Sequence, residues 1–266
     1  MRKLIVILFL GLALFGCSQN SDYVSQNSGA NSSPAPVPSP TPSPSSSEAI
    51  GAVSGEITWS GYTWEVKSYD YQVGPGPNYF SGSIDNVWVD GSGKLHLKIT
   101  NKNGKWYCAE LATKKSFGYG TYRFNTSTRI DNLNENVVVG LFTWDDTSGD
   151  YYNREIDIEF ARWGNMAWPN LNYTVQPYGV AGNVRSTGGT MTGNSSTHSF
   201  KWQSGSVYFQ SVENPSKTMD SWTYSGAYVP PTGNEKTRIN LWLMNGTPPS
   251  DKKEVEFVID KFEFVP

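Results

Sequence analysis

Polar and apolar residues alternate along several short runs of this chain, and clusters of turn-forming residues separate them. Lys94-Leu95-His96-Leu97-Lys98-Ile99-Thr100 alternates cleanly, and Ser206-Val207-Tyr208-Phe209-Gln210-Ser211-Val212 does so less cleanly. Val255-Glu256-Phe257-Val258-Ile259-Asp260 and Lys261-Phe262-Glu263-Phe264-Val265 follow the same rule. A period of two is that of a β-strand with one buried face. Asp90-Gly91-Ser92-Gly93, Asn101-Lys102-Asn103-Gly104 and Gly193-Asn194-Ser195-Ser196 supply the turns. No stretch combines a sustained helical period with caps. Short strands at regular spacing predict an all-β sandwich. Runs far apart in sequence that still need pairing partners suggest a jelly roll, a topology that periodicity alone does not derive.

The N-terminal segment is set aside before the fold is considered. Arg2 and Lys3 form a charged start, and Leu4 to Leu14 is an apolar run of eleven residues. A bilayer span needs about twenty, so this run reads as the core of a signal peptide. It ends in Leu14-Phe15-Gly16-Cys17, which resembles a bacterial lipoprotein box. The resemblance implies that residues 1-16 are a lipoprotein signal peptide, cleaved before Cys17, and that the sulfur and new amine of Cys17 carry lipid. Two acyl chains anchor stably where one does not. An ordinary signal peptide with a chance cysteine is the alternative. Ser18 does not look like an inner-membrane retention signal. The expected location is therefore the cell envelope, lipid-anchored at the outer membrane or cell surface.

Residues 17-50 form the lipidated cysteine and a Pro/Ser-rich linker, with residues 33 to 47 reading SPAPVPSPTPSPSSS. Alternating prolines hold a chain extended and deny it a core. Such a spacer reaches about 3 Å per residue and would hold a domain off a membrane. Residues 51-266 show no second break and no internal repeat. They read as one domain of about 215 residues, within the range all-β domains reach.

The formal net charge is -3 and no basic stripe occurs, which excludes a nucleic-acid partner. Charged residues are only 17% of the chain while aromatics reach 14%, with ten Trp and fifteen Tyr. Strands favour aromatics in general, but some of these rings are expected to face a ligand. With Cys17 lipidated, Cys108 has no partner. Neither a disulfide framework nor a cysteine metal motif is present, and Cys108 reads as a small buried hydrophobe.

The chemistry falls on residues 154 to 160, Arg-Glu-Ile-Asp-Ile-Glu-Phe. In a strand, Glu155, Asp157 and Glu159 share one face. Ile156, Ile158 and Phe160 share the other, which suits a core. Three acids in a row repel one another, and a purely structural strand has no reason to carry them. A solvated edge or a calcium site is the alternative. Glu155 and Glu159 have Cα atoms about 13 Å apart at strand rise. Leaning inward, their carboxyl groups can approach to about 5 Å, the separation of a retaining glycosidase. Three carboxylates this close do not all ionise at neutral pH. At least one proton is shared, and a raised apparent pKa suits a general acid.

Glu155-Ile156-Asp157-Ile158-Glu159-Phe160 resembles the active-site signature of glycoside hydrolase family 16, in the spacing of its lichenase and xyloglucan branch. Lys115-Ser116-Phe117-Gly118-Tyr119-Gly120-Thr121-Tyr122, Gly140-Leu141-Phe142-Thr143-Trp144, Thr197-His198-Ser199-Phe200-Lys201-Trp202 and Asn240-Leu241-Trp242 are similar to further runs of that family. The match spans roughly residues 75 to 265.

The resemblance implies an all-β, concanavalin-like jelly-roll sandwich with a concave substrate cleft. It implies a retaining endo-glycosidase acting on a β-glucan, either lichenan-type β-1,3-1,4-glucan or β-1,3-glucan. Glu155 would be the nucleophile and Glu159 the general acid and then base. Asp157 would hydrogen-bond Glu155 and tune both neighbours. Glu110, Trp144, Tyr173, Asn240 and Trp242 would bind substrate. Two departures stand out: Ala112 replaces an Arg expected two residues after Glu110, and Trp144 replaces a usual Tyr. His198 would be structural, and His96 has no implied role.

No organic cofactor is implied. A structural calcium, held by Asp260 and the Gly93 carbonyl away from the cleft, would be shared with many relatives. The expected partners are a polysaccharide and, through Cys17, a membrane, with the protein itself a monomer. The competing readings are a transglycosylase acting on a cell-wall polysaccharide, a non-catalytic carbohydrate-binding sandwich, and a structural envelope lipoprotein whose acids bind calcium.

Overall fold

The computed structural model describes residues 55–266. The signal peptide, Cys17 and the linker of residues 17-50 lie outside the described residues. Sixteen strands follow in chain order: β1 (Gly55–Trp59), β2 (Tyr62–Val66), β3 (Tyr79–Phe80), β4 (Val87–Val89), β5 (Leu95–Lys102), β6 (Lys105–Thr113), β7 (Gly120–Thr126), β8 (Val137–Trp144), β9 (Ile156–Phe160), β10 (Leu171–Val175), β11 (Val184–Thr187), β12 (Ser196–Gln203), β13 (Ser206–Glu213), β14 (Lys217–Tyr224), β15 (Lys236–Leu243) and β16 (Val255–Val265). The chain is the jelly-roll sandwich that the alternating runs and the resemblance predict.

One layer runs β11-β10-β9-β8-β15-β6 and continues through β2 to β1. The other runs β5-β16-β7-β12-β13-β14, with β4 on β5. The β5–β6 hairpin, closed at Lys102 and Lys105, links them. Pairing is antiparallel throughout except for the short β3–β6 contact. Neighbours such as β8 and β15, or β7 and β16, are far apart in sequence. These long-range pairings are what alternation could not predict.

The two layers press their apolar faces together. Ile156, Ile158 and Phe160 of β9 are completely buried, and each such side chain stabilises the fold by roughly 1.5–3 kcal/mol. Phe160 meets His198 and Phe257 from the opposite layer. Cys108 is buried and free, as expected. The two alternating runs at the C-terminus are one strand, β16. Their phase changes because the register slips between Ile259 and Lys261: Phe257 and Ile259 point inward before the irregularity, and Phe262 after it. A bulge of this kind re-aims the side chains that follow it.

Candidate active site

Alternation along β9 leaves Glu155, Asp157 and Glu159 on the outer face of the first layer. There they line a cleft together with Trp144 and Trp242. The strands beside β9 contribute by register. Gly140 of β8 lies opposite Glu159 and Phe142 opposite Asp157. One strand further, Asn240 of β15 pairs with Gly140, and Arg238 with Phe142. Beyond that, Glu110 of β6 pairs with Asn240. The cleft floor therefore crosses four strands at right angles to the chain direction.

The three carboxylates are largely withdrawn from water, with Asp157 only 3% exposed. All three titrate well above the ordinary carboxylate range. For Glu155 the main cause is burial, followed by the charge of Glu159, while a hydrogen bond from Asp157 opposes them. Asp157 is raised by burial and then by the charge of Glu155, and Gln176 opposes. Glu159 is raised by burial and then by Asp157. The hydrogen bond between Glu155 and Asp157 favours ionisation of the first and protonation of the second. Glu155 and Asp157 therefore titrate as one coupled acid pair. Gln176 Nε2 donates to the Asp157 Oδ2 atom at 3.1 Å.

The far side of the cleft is a network of paired charges. Glu110, 2% exposed, receives Lys67 Nζ at 3.0 Å, Arg238 Nη1 at 3.2 Å and Asn240 Nδ2 at 3.4 Å. Arg238 Nη2 also donates to Asp146 at 2.6 Å, and Trp144 Nε1 donates to the same carboxylate at 2.9 Å. Lys67 is held to the Gly74 carbonyl at 2.6 Å, and its pKa is lowered by burial, against the pull of Glu110.

Of the residues expected to bind substrate, Glu110, Trp144, Asn240 and Trp242 line the cleft with the triad. Tyr173 does not. Asn172 and Thr174 pair with Glu159 and Asp157, so alternation turns Tyr173 to the core. There it is fully buried, its ring stacks on Phe209 at 5.0 Å, and its hydroxyl donates to Ser211 at 2.8 Å.

The guanidinium missing at Ala112 is supplied from the next strand. Arg238 is the register partner of Ala112 and reaches Glu110 from there. Sequence reasoning missed Arg238, Lys67, Asp146 and Gln176. Arg238 stands two residues before Asn240 and Gln176 two after Thr174, so strand alternation carried a signal for both. Lys67 and Asp146 lie beyond the ends of β2 and β8, where no periodicity applies.

His198 is structural: it is buried, bonds Ser196 and Ser211 at 2.8 Å each, and burial pushes its pKa down to about 3. His96 bonds Glu256 and Asp90 at the surface, away from the cleft. The residues expected to hold calcium do not fit the ion. The Gly93 carbonyl accepts the Trp59 indole N–H at 3.0 Å. The Asp260 carboxylate faces the Lys94 ammonium at 2.7 Å and accepts the Ser127 hydroxyl at 2.9 Å. Among the described residues, no group of three or more His, Cys, Asp or Glu is placed to hold a metal.

The architecture is that of the β-glucanases and lichenases among solved structures. Bacillus licheniformis beta-glucanase superposes with a TM-score of 0.57 at 20% identity, covering 82% of this chain and 100% of its own. A Bacteroides ovatus mixed linkage glucan family 16 glycoside hydrolase, in complex with a glucan oligosaccharide product, gives 0.58 at 16% identity, covering 76% and 94%. A Mycobacterium tuberculosis protein described as a pseudo beta-1,3-glucanase gives 0.56 at 18% identity, covering 74% and 88%. Identities of this size establish a shared fold. No family model matches the chain, and no curated protein does.

Proposed function

We propose that this protein is a retaining endo-glycosidase that hydrolyses a β-glucan, of the β-1,3-1,4 or β-1,3 type, by double displacement. The observation that carries the reading is the set of three desolvated carboxylates on one strand face, lining a single cleft. Glu155 attacks the anomeric carbon as the carboxylate, the form the Asp157 hydrogen bond favours. Glu159, protonated because burial raises its pKa, gives its proton to the departing glycosidic oxygen. The glycosyl–Glu155 ester then yields to water, which Glu159, now a base, deprotonates. Asp157 hands the Glu155 oxygen the same hydrogen bond in both steps. Glu110, Arg238, Asn240, Trp144 and Trp242 hold the sugars: amide and charged groups read hydroxyls, and indole faces cover the apolar sides of the rings.

A binding module gains nothing from an unpaired acid cluster that costs stability. The pseudo-enzyme among the structural neighbours nevertheless makes turnover the deciding measurement. Residues 51 to 266 are to be assayed on barley β-glucan, laminarin, xyloglucan and agarose beside the Glu155→Gln variant. Turnover of one polymer, abolished in the variant, supports the reading and names the substrate. Binding without turnover moves the protein to the carbohydrate-binding class. Product analysis at high acceptor concentration separates hydrolysis from transglycosylation. The proposal includes location: lipid on Cys17 and the proline-rich linker tether the enzyme at the cell surface. Metabolic palmitate labelling that is unchanged by Cys17→Ser would sink that part.

A further inference from the structure

The turn that delivers Glu155 to the cleft is held in a costly conformation. Tyr152, Asn153 and Arg154 have φ of 50°, 58° and 51°. This is the left-handed region, which any residue with a Cβ resists, and three in succession persist only where the surroundings impose them. Two sets of contacts do so here.

The first is a single hydroxyl. Thr143, fully buried in β8, donates Oγ1–H to the Arg154 carbonyl at 2.8 Å and accepts the Ile156 N–H at 3.2 Å. It therefore grips the backbone on both sides of Glu155. The second is a buried ion pair. Arg154 Nε donates to Asp145 Oδ2 at 3.1 Å, and Nη1 donates to the Pro231 carbonyl. The guanidinium lies 4.6 Å over the Tyr151 ring and rests on Gly233, where a Cβ would collide with it. Asp145 is fixed in turn by Thr147, through N–H at 2.9 Å and Oγ1 at 2.7 Å, and by the Asn234 N–H at 3.1 Å. Its own backbone N–H bonds the Asn153 carbonyl at 2.7 Å.

We propose that Thr143, Asp145 and Arg154 are positioning residues that hold the Glu155 carboxylate at its reacting distance. They touch no substrate and act through the backbone of Glu155. The inference rests on Glu155 being the nucleophile. The contacts of this turn converge on the residue next to the attacking group.

The test uses the full chain purified in detergent. Thr143→Val keeps the shape and loses the hydroxyl, and Thr143→Ser keeps the hydroxyl. Arg154→Met removes the ion pair, and Arg154→Lys retains a cation. Sites are counted by trapping with an activated 2-deoxy-2-fluoro β-laminaribioside. The carbon-13 carboxyl titration of Glu155 is followed by NMR, and melting temperatures are recorded. Per trapped site, kcat is expected to fall roughly 100-fold in the Val and Met variants, the scale of a misplacement near 1 Å. KM should hardly move, and the Ser variant should recover most of the rate.

A lower melting temperature with unchanged kcat per site would overturn the proposal. If Thr143→Val fails to fold, the Arg154 pair decides. If Thr143→Val and Arg154→Met both fail, the contacts hold the fold rather than the nucleophile, and the proposal falls. If the wild type neither turns over nor is trapped, the glycosidase reading fails. Positioning then stands only if the Glu155 titration shifts in the Val variant and returns in the Ser variant.

Discussion

Gly140 is the residue whose replacement tests the cleft geometry most sharply. It lies between Glu159 on one side and Asn240 on the other. A Cβ added there would sit 2.5 Å from Asn240 Oδ1, where ordinary contact begins at 3.4 Å. The carboxamide must retreat by the difference, 3.4 − 2.5, or about 0.9 Å. Little holds it back. Oδ1 is buried without a hydrogen-bond partner, and the Nδ2 bond to Glu110 is long at 3.4 Å. The side chain therefore swings, and the fold is spared. Displacing a substrate-orienting group by about 1 Å costs up to roughly 100-fold, or about 2.7 kcal/mol of transition-state binding. Fold stability should change by only about 0.4–1 kcal/mol, the usual scale for Gly→Ala. Gly140→Ala is expected to lower kcat/KM ten- to a hundredfold at a nearly constant melting temperature. In an Asn240→Ala background the same change should cost little, because the colliding atom is gone. Equal losses in both backgrounds, or no loss at all, would refute the reasoning.

Glu155→Gln should abolish turnover of every substrate. Glu159→Gln should slow polysaccharide cleavage about 10²–10⁴-fold yet spare the first step on an activated aryl glycoside, which stopped-flow burst kinetics would show. The same Glu159→Gln change should raise the melting temperature at neutral pH. A carboxyl whose pKa is raised on folding stabilises the protein fully below its unfolded value, and that contribution is lost as pH rises through its folded value. The gain should vanish near about pH 4, and a lower melting temperature at neutral pH would contradict the burial cost. Tyr173→Phe removes a core hydrogen bond to Ser211 and should cost about 1 kcal/mol in urea unfolding with unchanged kinetics. A tenfold loss of kcat/KM would return Tyr173 to the cleft. A chelator should leave the melting temperature unchanged, since Lys94 neutralises Asp260. A fall restored by calcium would show that the ion displaces that lysine.

Whatever obeys a period of two was legible in the sequence. The two faces of β9 fall as alternation demands, and Glu110, Asn240 and Trp242 share the cleft face with the triad. The resemblance alone puts Tyr173 in the cleft, but its neighbours Asn172 and Thr174 pair with Glu159 and Asp157 and claim that face. Arg238 was hidden for a different reason. Its partner Glu110 lies on β6, and no local pattern tells which distant strand pairs with which. The turn before Glu155 was opaque for a third: Asn153 tolerates positive φ, but Tyr152 and Arg154 on either side of it do not advertise it, and Asp145, Thr143 and Gly233, gathered from other strands and loops, make that conformation tenable.

The cleft contains two kinds of acid, and the difference between them explains what the site can do. Glu110 and Asp146 are ion-paired with Lys67 and Arg238 at 2.6 to 3.2 Å. Lys67 and Arg238, the cations that line the cleft, are committed to that pair. Arg238 is felt at Glu155 only as a weak field, and at Glu159 no positive group offsets the burial. The triad therefore shares the cleft with two cations that are already paired elsewhere. The two halves of the cleft thus differ in kind: one carries its counter-charges as fixed side chains, and the other does not.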